Sequence, residues 1–148
     1  MIVGKSIHEN QLMNELISVL PEYLKPAVYG TTDKAMIAKK EKGLNNIYSA
    51  HKAAQAGKMK EAYALLEDAL NLFIETKDPL LQAFTYFFQG EFYFNEYVLE
   101  KAKEAFQKAY DIFVPLKNLM FLSVGQKLAE IDKEMQESQS KTPTKIKK

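Results

Sequence analysis

Apolar residues recur along most of the chain at steps of three and four, and no stretch alternates with the period of two that a half-buried strand requires. Met13, Leu16, Ile17, Leu20 and Leu24 fall on one helical face, behind a capping box made by Ser6 and Glu9. Pro21 ends or kinks that helix. A second helix is predicted over 32–56, closed by Gly57 in the left-handed conformation, and a third over 59–76. Asp78 caps a fourth, with Pro79 in the first turn, where a missing amide costs nothing. The fourth runs to 95 and a fifth covers 98–114; Asn118 caps a sixth that fades near Glu137. The expectation is an all-α chain of antiparallel helix pairs.

The helices repeat. Laid over the residue forty positions later, Leu44, Ile47 and Tyr48 fall on Phe84, Phe87 and Phe88, and Ala62, Leu66 and Ala69 fall on Ala102, Phe106 and Ala109. Ala50 meets Gly90, Phe73 meets Phe113, and the cap Asp78 meets Asn118. Each repeat is a helix pair, and the sixth helix begins a third unit that is not completed. Such pairs stack, because one pair alone cannot bury its apolar faces. Gly90 lies mid-helix, where glycine costs about 1 kcal/mol relative to alanine, so close helix approach is the simplest compensation.

Composition narrows the chemistry. The chain has 148 residues, as one domain would, and no Cys, which removes disulfides and thiolate chemistry together. Every basic residue is Lys. The last eleven residues, SQSKTPTKIKK, hold four Lys and no acid, and the rest of the chain sets sixteen Lys against nineteen acids, a net −3. The absence of Arg argues against bidentate recognition of phosphate or guanine, so nucleic acid is not an expected partner. No run approaches the ~20 apolar residues that cross a bilayer, and MIVGKSIHENQ lacks the shape of a signal peptide. A soluble cytoplasmic protein is expected, with an N-terminal helix and linker over 1–30, a repeat domain over 31–137, and a disordered Lys-rich tail over 138–148.

The repeat resembles the tetratricopeptide repeat. A large residue, a small one four later and an aromatic three beyond, here Tyr86, Gly90 and Tyr93, match its first helix, and Ala102, Phe106 and Ala109 match its second. In the earlier repeat Asn46, Ala50 and Ala53 depart from the pattern, while Gly57, Ala62, Leu66 and Ala69 keep it. The interval of forty exceeds that family's usual 34 and is similar to its longer-helix variants. The resemblance, which covers about 32–137 and says nothing of residues 1–30, implies a solenoid of about two repeats with a C-terminal capping helix; separately, an N-terminal helix is expected to pack on it.

It also implies a concave groove lined by the first helix of each pair, with Leu44, Ile47, His51, Ala54 and Gln55 facing inward from one repeat and Phe84, Phe87, Glu91, Phe94 and Asn95 from the next. The carboxylate-gripping subgroup of the family is excluded, since Ile47, His51 and Phe88 stand where it uses Lys and Asn. Three groove Phe left in water would forgo roughly 5–9 kcal/mol, so something should cover them. Three coverings are open: the chain's own N-terminal helix through Met13, Leu16, Ile17 and Leu20, a second copy in a homo-oligomer, or a foreign helix or peptide.

No catalytic or cofactor signal competes with this reading. His8 and His51 are far apart and lack metal-ligand spacing, the glycines are isolated rather than grouped in a phosphate loop, and the acids Glu61, Glu67 and Asp68 alternate with Lys as a solvated face does. The expectation is a non-catalytic protein–protein interaction scaffold that self-associates, without metal or cofactor. The alternatives are a peptide- or partner-sensing regulator and an accessory subunit of a larger complex.

Overall fold

A computed structural model describes the backbone of residues 18–146 and the side chains of residues 18–138. All regular structure in this range is helical. Residues 18–23 are helical and lead through a turn at Leu24 into α1 (Lys25–Tyr29); α2 (Lys34–Gln55), α3 (Met59–Glu75), α4 (Pro79–Asn95), α5 (Leu99–Phe113) and α6 (Met120–Ile146) follow. The chain divides into two compact units, 1–81 and 82–148. Met13, Leu16, Ile17 and the Ser6–Glu9 capping box lie outside the described residues.

Polar side chains cap three of the six helices, while α1, α3 and α5 start at Leu24, Lys58 and Val98 without a side-chain cap. Asp33, which the sequence reading passes over, caps α2: its Oδ1 accepts from the amides of Ala35 at 3.0 Å and Met36 at 3.2 Å. Asp78 Oδ1 accepts from the Leu81 amide at 3.0 Å, and Asn118 Oδ1 from the Met120 amide at 2.9 Å, as read from the sequence. Pro26 sits in the first turn of α1, where its missing amide is not needed. The last helix continues past Glu137, and its backbone is helical to Ile146.

The interval of forty reappears in the backbone. Positive φ occurs at Gly57 (81°) and again at Tyr97 (62°), at Lys77 (55°) and again at Lys117 (56°). Each of these residues ends a helix with the same pair of bonds. At Gly57 the Lys58 amide donates to Ala53 O at 2.8 Å and the Gly57 amide to Ala54 O at 3.0 Å; at Tyr97 the Val98 amide donates to Tyr93 O at 2.8 Å and the Tyr97 amide to Phe94 O at 2.9 Å. The turns at Lys77 and Lys117 share the pattern. Three of the four left-handed positions are not glycine, so these closures hold bulkier residues in a conformation they ordinarily avoid.

In the first unit α3 folds back along α2, and a Cβ built on Gly43 would lie 2.6 Å from Cε1 and Cζ of Phe73. In the second unit a Cβ on Gly90 of α4 would lie 2.7 Å from Cδ1 and Cε1 of Phe106 on α5. The two helices approach through the missing side chain. Ala62, Leu66 and Ala69 are fully buried in the first unit, and Ala102, Phe106 and Ala109 in the second. The overlay then reads as a volume exchange: Ala50 and Leu66 in one pair become Gly90 and Phe106 in the other, and the larger ring is accommodated by the lost methyl.

Candidate functional site

The residues expected to wall an open groove are mostly inside the chain. Ile47 is 1% exposed, Phe84 1%, Phe87 6%, Glu91 3% and Phe94 8%. Within the second unit the Phe84 ring meets Phe113 edge-on at 5.1 Å, and Phe87 packs against Phe88 at 5.4 Å and Phe106 at 5.9 Å. These rings face α5 and are core, so they do not present an aromatic wall to a partner. The cause is helix geometry: α4 is apolar almost all round, and its neighbours approach closely enough to bury more than one face. Only Gln55 and Asn95 of the expected set are exposed, and His51 is half-buried, with burial holding its imidazole below the ordinary range. Leu20, from the expected covering helix, is fully buried in the first unit, as is Leu24.

Glu91 and Phe94 do meet a common neighbour. Lys127 of α6 places Nζ 4.9 Å above the Phe94 ring and 3.7 Å from Glu91 Oε2, with Glu130 at 3.9 Å. The part of the expected groove on the second unit is thereby occupied by the chain's own last helix.

Two other features stand at the surface. The first is the corner that joins α5 to α6, where Val114 is 42% exposed, Leu116 44%, Leu119 75% and Leu122 56%. From Ile112 to Gln126 the only charged residue is Lys117. Loops are ordinarily polar, and a break this poor in charge is the signal that FVPLKNLMFL carries. Behind the corner Tyr110 and Phe121 meet edge-on at 6.3 Å, and Lys103 bridges to Asp132 at 2.8 Å, so α5 and α6 hold it in place.

The second is a cleft of about 360 Å³ in the first unit, between residues 21–29 and α2, walled by Pro21, Val28, Leu44 and Tyr48. The same unit holds Lys40, which the periodicity reads as one more polar position. The Lys40 ammonium is buried, donating to Ala27 O at 2.9 Å and pairing with Asp78 Oδ2 at 3.0 Å. One lysine thus ties α1 to the cap of α4 in the first unit.

Among the described residues, no group of His, Asp or Glu gathers as a metal site would need, and no helix is long and apolar enough to cross a membrane. No family model matches the chain, and neither a curated protein nor a solved structure shows significant similarity to it.

Proposed function

We propose that this protein is a non-catalytic helical-repeat interaction module, built like a tetratricopeptide array with long helices, that pairs with a second copy of itself through the corner at 114–122. The observation that carries the reading is the exposure of Leu119 and Leu122, with Leu116 and Val114, at the join between two packed helices. Burying a leucine that stands mostly in water contributes about 1–2 kcal/mol, and an isologous contact counts each leucine twice. A second copy fits because the patch carries a single charge, so two such patches meet without opposed or repelling charges beyond Lys117. A partner chosen by electrostatics would need charged groups here to read. The recurrence of the helix-closing turns at 57 and 97, and at 77 and 117, supports the repeat architecture. The burial of Phe84, Phe87 and Phe94 weighs against the alternative of a regulator that receives a peptide in an open inner groove.

Light scattering and sedimentation across a concentration series test the reading. The native chain should dimerise, and Leu119→Glu with Leu122→Glu should return it to monomer with an unchanged helical spectrum. A native chain that stays monomeric throughout, or a dimer that survives both substitutions, overturns it.

A further inference from the structure

We propose that self-association runs along α6 itself: two copies pair their last helices antiparallel through the uncharged stripe Leu119, Leu122, Gln126 and Ala129. This rests on the reading above and extends it, because half of the stripe lies beyond the corner.

The spacing sets the seam. The four residues follow one another at three, four and three positions, the interval at which a helix offers one narrow face to a second helix. All four are exposed, as is Lys133, the next position of the series. The other faces of α6 are engaged within the second unit. Val124 and Ile131, opposite the stripe, are fully buried. On one flank a Cβ built on Gly125 would lie 3.6 Å from Tyr110, and Asp132 pairs with Lys103 at 2.8 Å, so that flank meets α5. On the other flank Lys127 reaches Glu91 and Phe94 of α4. The stripe is the face that α6 leaves for a neighbour.

Charge and volume point to a second copy laid in reverse. The series meets its first charge at Lys133. Paired in the same direction, two stripes would set Lys133 against Lys133 and Ala129 against Ala129, a repulsion in one layer and a gap in another. Reversed, with the two-fold axis level with Val124, Leu119 fills the space over Ala129 of the second copy, and Leu122 covers the hydrocarbon of its Gln126. Lys133 then lies level with Pro115, away from its own copy. The opposed helix dipoles add to the pairing.

The test uses the full chain. It has no Cys, so a nitroxide label can be placed cleanly at Lys133→Cys or at Glu137→Cys, both exposed and both past the uncharged stripe. With the axis level with residue 124, the paired labels should lie about 27 Å apart along the helices for position 133 and about 39 Å for position 137, from the helical rise per residue. Double electron–electron resonance reads both distances, and same-direction pairing would give about 10 Å at each. Sedimentation supplies the second readout. Ala129→Glu, on an exposed position outside the corner, should weaken dimerisation about tenfold or more with an unchanged helical spectrum, and Gln126→Leu should tighten it about tenfold. Equal distances at 133 and 137, a dimer indifferent to Ala129→Glu, or one not tightened by Gln126→Leu overturns the seam and leaves the corner standing. A native chain that is monomeric at every concentration removes both.

Discussion

Replacing Gly90 with alanine sets two effects against each other. In an exposed helix the change would gain about 1 kcal/mol from propensity. Here the new methyl would lie 2.7 Å from Cδ1 and Cε1 of Phe106 and 2.8 Å from Cγ. Carbon atoms pack at about 3.5–4.0 Å, so the ring or the helix must retreat by most of an ångström. The clash reaches Cγ at the base of the ring, which a swing about the side-chain torsions moves least. Phe106 is fully buried, and Phe87 packs beside it. Overpacking of this kind costs about 1–3 kcal/mol, and the rigidity of the site places it near the upper end. The net effect is a loss of about 2 kcal/mol, which lowers the melting temperature by roughly 6–8 °C in a chain of this size. Circular dichroism during thermal and urea unfolding reads it directly. The decisive control is the double variant Gly90→Ala with Phe106→Leu, which recreates the Ala50 and Leu66 combination of the first pair. It should be more stable than the sum of the single changes allows, by about 0.5–3 kcal/mol of coupling. If Gly90→Ala melts higher than the native protein, or the two changes simply add, the helices do not meet through a glycine-on-ring contact.

Other outcomes follow from the same packing. Lys40→Met strands the Asp78 carboxylate in an interior position and should cost about 3–5 kcal/mol in urea unfolding, whereas Lys103→Met, which opens the half-exposed pair with Asp132, should cost less than about 1 kcal/mol; similar losses from the two would refute the buried linkage. Burial lowers the His51 pKa, so the unfolded chain binds the proton more readily than the folded one and stability falls as pH drops below the unfolded imidazole's ~6.5; His51→Gln should flatten that part of the pH profile. Lys77→Gly relieves a left-handed residue and should raise stability by up to about 1 kcal/mol, while Gly57→Ala, at φ 81° with open space around it, should lower it by about 1 kcal/mol through backbone strain alone.

Much of the architecture was legible because it is local or periodic. The interval of forty, the small residues at 62, 69, 102 and 109, and the caps at Asp78 and Asn118 are features of neighbouring residues, and local chemistry settles them whatever the rest of the chain does. The closing turn at Gly57 could be read for the same reason, but Lys77, Tyr97 and Lys117 could not: their residue types disfavour the left-handed state, and only the bonds across each helix end hold them there. The exposed corner at 114–122 left a trace in its lack of charge, yet exposure itself depends on which helices pack behind it. Lys40 looks like any surface lysine in the pattern, and its burial against Ala27 O and Asp78 arises from segments far apart in sequence.

The sequence by itself determined that the chain is helical, where most of its helices start and stop, and which small residues let paired helices approach. Tertiary structure decided which face of each apolar helix turns inward. A periodic stripe states only that a face is hydrophobic; whether Phe84 and Phe87 line an open groove or fill a core depends on how many neighbours reach them, and that is a property of the packing, not of the stripe.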